Sequence, residues 1–137
     1  MNNQQVFNME YGNTTLNNKL HYLEAKDNSI IHELTIDHKF FDKNNNLDKG
    51  FLFTVIDSVS SRSAFLYDQE LIFHVSINMK INFMKEIIKS NENLVVYIKT
   101  NIKRSKNLLF LDCSVYDING NIYLLATHLK RLIKFKF

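Results

Sequence analysis

Asp57 is the residue whose placement most invites chemistry. It stands as a lone carboxylate inside the apolar run Gly50-Phe51-Leu52-Phe53-Thr54-Val55-Ile56-Asp57-Ser58-Val59. An ionised group in apolar surroundings is costly unless something compensates it, and perturbed carboxylates concentrate at functional sites. Its spacing puts it on a helix. Leu52, Val55, Ile56, Val59 and Leu66 form a broad apolar face, while Gly50, Thr54, Asp57 and Ser61 recur at helical intervals as a second, small and polar stripe. A helix with two such faces packs on one side and lines a site or an interface on the other. The blander use of Asp57 is structural, as an acid satisfied by backbone or by the serines between Ser58 and Ser63. Asp48 is suited to cap the helix. The helix start at Lys49 and Gly50 presents unpaired N–H groups that, with the macrodipole, favour negative charge.

The other reactive side chains narrow the chemistry. Cys113 alternates with Leu109, Leu111 and Val115, the pattern of a core thiol with no histidine nearby in sequence. A single cysteine excludes an internal disulfide and any multi-cysteine zinc site. His21, His32, His38, His74 and His128 show no metal-ligand spacing, so no metal is expected. The net charge of +3 suits an anionic small ligand and falls short of a nucleic-acid footprint. Lys130, Arg131, Lys134 and Lys136 form a basic C-terminal run, but no recognisable nucleic-acid reading element accompanies it.

These residues need a frame, and 137 residues suffice for one domain with a proper core. Residues 1–18 read as a loose polar extension with no basic residue and no apolar core, so neither a secretory nor a transit signal is expected and the chain is assigned to the cytoplasm. No segment approaches the ~20 apolar residues that span a bilayer. The domain proper occupies 19–137. Leu20 to Ala25 pairs through a turn at Lys26-Asp27-Asn28 with a strand over 30–38, where Ile30, His32, Leu34, Ile36 and His38 share one side. A polar loop over 42–49 precedes the helix, which runs from Gly50 to about Tyr67. Strands follow over 71–83, 93–103 and 108–117, and a last one begins at Asn121 after the hairpin signal Asn119-Gly120. In the strand over 71–83, Val75, Ile77, Met79 and Ile81 alternate with His74, Ser76, Asn78 and Lys80, which makes Ser76 one of a polar row. One helix on one face of an antiparallel sheet is an α+β layering.

At this point the chain resembles the hotdog-fold acyl-CoA thioesterases of the phenylacetate-pathway type. That family wraps a five- or six-stranded antiparallel sheet around one long helix. Its signature is an Asn in the loop before the helix, His-Gly-Gly at the helix start, an Asp two turns on and a Ser in the next strand. Leu47-Asp48-Lys49-Gly50-Phe51-Leu52-Phe53-Thr54-Val55-Ile56-Asp57 sits on that register with the Asp in place. His74 to Met84 is similar to the family's strand after the helix, and Ile102 to Phe110 to its basic hairpin. Asp57 and Ser76 are retained. The His-Gly-Gly reads Asp48-Lys49-Gly50, and the loop Asn falls on Asp42, with Asn44, Asn45 and Asn46 close by. The absent prolines and the lack of a His-rich hydratase motif argue against the dehydratase branch of the fold.

The resemblance implies thioester hydrolysis. Asp57 would act as general base or nucleophile, Ser76 would orient water or the carboxylate, and amides near Lys49 and Gly50 would hold the oxyanion. Seven residues at ~1.5 Å rise separate Gly50 from Asp57 by roughly 10 Å, so one helix cannot bring both to one carbonyl. The site is then shared across a homodimer, or within a dimer of dimers, as the resemblance also implies. Coenzyme A is part of the substrate and no further cofactor is expected. Its phosphates would meet Lys103, Arg104 and Lys106 in one turn, with Lys130 and Arg131 near the last strand, while Asp48 and Asp42 border the helix start. The rival reading is a catalytically silent hotdog module that binds acyl-CoA or lipid, prompted by the altered Asp48-Lys49-Gly50 segment.

Overall fold

A computed structural model describes residues 19–71 and 73–133. The extension expected over 1–18, and Lys134 and Lys136, lie outside the described residues. The chain runs β1 (Leu20–Lys26), β2 (Ser29–Ile36), a 3-10 turn (His38–Phe40), α1 (Lys49–Tyr67), β3 (His74–Phe83), β4 (Leu94–Ser105), β5 (Leu108–Tyr116) and β6 (Ile122–Leu132). The six strands form one sheet in the order β1-β2-β4-β5-β6-β3, antiparallel at every pairing. Chain order is broken only where α1 crosses the sheet and delivers β3 to the edge opposite β1.

Local chemistry accounts for the joints. The Asp48 carboxylate accepts from the Gly50 N–H at 3.2 Å and caps α1 where the sequence expects it. Asn119-Gly120 turns β5 into β6, and Gly120 takes the left-handed backbone at φ 84°. The strand expected over 71–83 begins later, at His74. Leu71 is held in a turn by its N–H bond to the Asp68 carbonyl and stays buried against the sheet's end.

Two apolar clusters divide the core. Leu52, Val55, Ile56 and Val59, from the first half of α1, pack with Leu34, Ile36, Val96, Ile98 and Val115. Ala64 and Leu66, from the second half, pack with Ile30, Ile102, Leu109 and Leu111. Full burial of each large aliphatic side chain contributes about 1.5–3 kcal/mol, so the first half of α1 is the firmer anchor. Along each element the positions between the clusters are polar and buried: Ser60, Arg62 and Ser63 on α1, His32 on β2, Thr100 on β4, His128 on β6. The helix serines tolerate this because each hydroxyl donates to a carbonyl one turn back, Ser60 to Ile56 at 2.6 Å and Ser63 to Val59 at 2.7 Å.

β3 is irregular and open. A β-bulge between Ser76 and Asn78 adds Ile77 to the strand without a partner on β6. Before the bulge, His74 and Ser76 lie opposite Leu132 and Lys130; after it, Met79 and Ile81 lie opposite His128 and Ala126. All of these β6 partners are buried. The inward parity therefore switches from even to odd positions at Ile77. Ser76 shares the sheet face on which α1 packs, although it stays exposed in the single chain, and the uniform polar row read from the sequence does not hold. The free edge strand β3 exposes Val75, Ile77 and Phe83, with Phe73 and Met84 flanking it, among exposed polar residues such as Asn78, Lys80 and Asn82.

Candidate active site

The polar stripe of α1 lies on the flank of the helix outside its apolar packing face, and this corrects the first expectation about Asp57. Its side chain is 56% exposed in the single chain rather than sunk among apolar groups. The apolar neighbours in sequence point to the sheet, whereas Asp57 projects from the helix flank, partly open to solvent and beside β6. Its carboxylate lies 3.9 Å from His128 Nε2. The same nitrogen is 2.7 Å from Ser76 Oγ, and the other ring nitrogen, Nδ1, is 2.7 Å from Ser60 Oγ. Asp57 and Ser76 are thus brought together around an imidazole whose sequence spacing marks no site.

His128 is 1% exposed. Burial, and next the charge of Lys130, push its pKa down to about 4, against an opposing pull from Asp57. It is therefore neutral at physiological pH. Next to it, His74 is also pushed down to about 4 by burial and by Lys130. The Lys130 ammonium lies 3.1 Å from His74 Nδ1, which accepts from it. Lys130 was expected on a phosphate-binding rim, but it is 5% exposed and directed into this pair. Lys103, Arg104, Lys106 and Arg131 are exposed. The β4–β5 hairpin that carries the first three reaches the end of β6, where the Leu132 N–H donates to the Asn107 carbonyl at 2.7 Å. Since Val75 and Leu108 flank Arg131 in register, this basic end of the sheet is also the His74 end of β3.

The α1 start forms a separate feature. A cleft of about 570 Å³ opens there, walled by Asp42, Asp48, Lys49, Leu52, Phe83 and Met84 among others. The Lys49 ammonium lies 5.0 Å from the centre of the Phe83 ring and links the helix start to the end of β3. Asp42 braces the loop, accepting at Oδ1 from the Asn44 and Asn46 N–H groups at 2.8 and 3.1 Å. The Gly50 N–H expected to serve an oxyanion is engaged by Asp48, so the helix start carries a carboxylate where the family pattern has a histidine. Among the described residues, the cleft wall does not include Asp57, Ser76 or His128.

Two structural partners of this site, Ser60 and His128, escaped the sequence reading. A signal for His128 was present: Leu124, Ala126, His128, Lys130 and Leu132 alternate along one strand face, and a histidine and a lysine interrupt it. Among the described residues no group of His, Cys, Asp and Glu could hold a metal ion. Among the same residues no helix is long and apolar enough to cross a membrane.

No protein-family model and no curated protein matches the sequence. Solved structures do match the fold. Thioesterase superfamily member 2 from Mus musculus superposes with a TM-score of 0.80 at 21% identity, over 96% of this chain and 95% of that one. Its zebrafish counterpart gives 0.79 at 18% identity, over 95% of each chain. A hypothetical thioesterase from Streptococcus pneumoniae, solved with coenzyme A, gives 0.74 at 16% identity, over 88% of this chain and 90% of that one. The architecture is the hotdog fold of thioesterase superfamily proteins, one helix against a six-stranded antiparallel sheet.

Proposed function

We propose that this chain is a homo-oligomeric acyl-CoA thioesterase that hydrolyses a fatty or aryl acyl-CoA to the free acid and coenzyme A. The observation that carries the reading is the convergence of Asp57 and Ser76 on one buried imidazole, at the flank of the helix. Asp57 takes a proton from water as the water oxygen bonds to the thioester carbon; the C–S bond then breaks and the thiolate receives the proton. The carbonyl oxygen collects its charge at the α1 start of a second copy, where the Lys49 amide is the donor left outside the Asp48 cap.

The second copy is supported by β3, whose outer edge pairs with no strand among the described residues. An uncovered edge of that kind invites strand pairing, and a two-fold axis through β3 would join two sheets into one. Lys103, Arg104, Lys106 and Arg131, exposed at one end of the sheet, are assigned to the phosphates of coenzyme A. The crystallised S. pneumoniae relative with coenzyme A supports that choice of ligand.

One observation favours a second reading. With Asp48 on the Gly50 N–H, the helix start resists a developing oxyanion, as expected of a silent module that binds acyl-CoA without hydrolysing it. Free-thiol release from a panel of acyl-CoAs separates the two, with Asp57→Asn as control. Turnover by the wild type that Asp57→Asn lowers at least 100-fold supports the enzyme, on the scale of general-base catalysis. Binding without turnover establishes the silent module.

A further inference from the structure

The hydrogen bonds around His128 have a direction that their lengths alone do not convey. Ser60 has one hydroxyl hydrogen, and it is committed to the Ile56 carbonyl at 2.6 Å, with the Asp57 carbonyl at 3.3 Å on the same side. Toward His128 Nδ1, 2.7 Å away, Ser60 can therefore only accept, so Nδ1 must carry the hydrogen. His128 is neutral, so Nε2 is the bare nitrogen. It must accept, and the hydroxyl 2.7 Å from it is that of Ser76. Asp57 is consistent with this. Its oxygen stands off at 3.9 Å, beyond hydrogen-bond length, as a carboxylate does from a nitrogen lone pair and not from an N–H.

We infer that Ser60 sets the tautomer of His128 and, through it, the orientation of the Ser76 hydroxyl, so that Ser76 turns its hydrogen inward and offers only lone pairs beside Asp57. Ser60 and His128 are positioning residues; neither touches the reacting atoms. Their value rests on the thioesterase reading. A water bridging Asp57 and Ser76 meets two acceptors, directs both hydrogens at them and is left with a lone pair turned outward to the thioester carbon. With the opposite tautomer, Ser76 would accept from Nε2 and point its own hydrogen at the water, occupying the lone pair that attacks. The Ile56 carbonyl thus sits at the head of a four-member chain, Ile56, Ser60, His128 and Ser76, whose polarity is set by the backbone of α1.

The test reads the tautomer directly and requires no substrate. Protein labelled with 15N-histidine is observed at pH 7.5 by two-bond proton–nitrogen correlation, with the His128 signals assigned by their loss in His128→Gln. The expected wild-type spectrum shows a protonated Nδ1 and an unprotonated Nε2. Ser60→Ala should move the ring toward the Nε2–H form, and Ser60→Thr, which keeps the hydroxyl, should restore the wild-type pattern. In the thiol-release assay, Ser60→Ala should lower kcat about tenfold, the scale of one misdirected hydrogen bond, with KM unchanged and recovery in Ser60→Thr. A protonated Nε2 in the wild type, or a ring unmoved by Ser60→Ala, overturns the relay. Should Ser60→Ala fail to fold, the wild-type spectrum still decides. A relay seen by NMR in a protein that hydrolyses no acyl-CoA refutes the thioesterase reading and leaves the relay standing.

Discussion

Substituting Asp48 by Asn should make this protein a faster enzyme. Asp48 accepts from the Gly50 N–H at 3.2 Å, so its carboxylate sits over the first turn of α1. An oxyanion bound by the amides of that turn would lie about 3 Å from their nitrogens, and therefore roughly 4–6 Å from the carboxylate. Two unit charges at ~5 Å repel by about 1 kcal/mol in water and about 3 kcal/mol at an effective dielectric of 20. Asp48 is exposed, so the lower part of that range applies. A penalty of about 1.4 kcal/mol in the transition state corresponds to about tenfold in rate. Asn retains an acceptor oxygen and caps helices about as well as Asp. It loses only the charge–dipole attraction of about 0.3–1 kcal/mol, so the fold should hold. The assay is thiol release under saturating acyl-CoA, with thermal melting to monitor stability. Asp48→Asn is expected to raise kcat about tenfold with Tm nearly unchanged. Asp48→Ala removes charge and cap together, at about 1 kcal/mol of stability. A folded Asp48→Asn protein with unchanged or lower kcat would refute the assignment of the oxyanion to this helix start.

The remaining predictions concern stability and assembly. Burial and the Arg62 charge hold His32 at about 3 in the fold, against the ordinary 6.5. Between those values the unfolded chain binds a proton that the folded chain refuses. The stability is therefore complete above pH 6.5 and lost as pH falls toward 3, at about 1.4 kcal/mol per pH unit from this residue. Urea midpoints at pH 7 and 5 should differ less in His32→Gln than in the wild type; equal differences would remove His32 as the source. On the β3 edge, Ile77→Lys replaces a half-exposed side chain at little expense to the single chain. It should shift sedimentation toward monomer and lower turnover in step. A monomeric Ile77→Lys protein with full activity would eliminate the shared site.

Much of the frame was legible because alternation and capping are local. β2 alternates burial without a break, and Asp48 starts α1 where its side chain says it should. Each miss traces to a property that two elements share. Asp57 is exposed because the sheet covers one side of α1 and leaves its polar stripe open, and an apolar run in sequence winds around both sides. Lys130 is buried because its strand face continues from Leu124 through Ala126 and His128 under α1, so charge alone did not place it outside. His128 draws its role from Ser60 on the helix and Ser76 on the adjacent strand β3, 68 and 52 residues away in sequence. No window along the chain holds that arrangement.

The extra residue in β3 divides one strand into two reading frames. In a saturation scan of β3, intolerance should fall on even positions through Ser76 and on odd positions from Met79, with Ile77 as the point where parity changes. Removing Ile77 would merge the frames. The sheet would regain a uniform ladder with Ser76 still opposite Lys130 and Met79 still opposite His128, so His74 and Ser76 would keep their inward face in a chain one residue shorter. What the extra residue supplies is therefore Ile77 itself, an exposed apolar side chain on the open edge strand, rather than the orientation of Ser76.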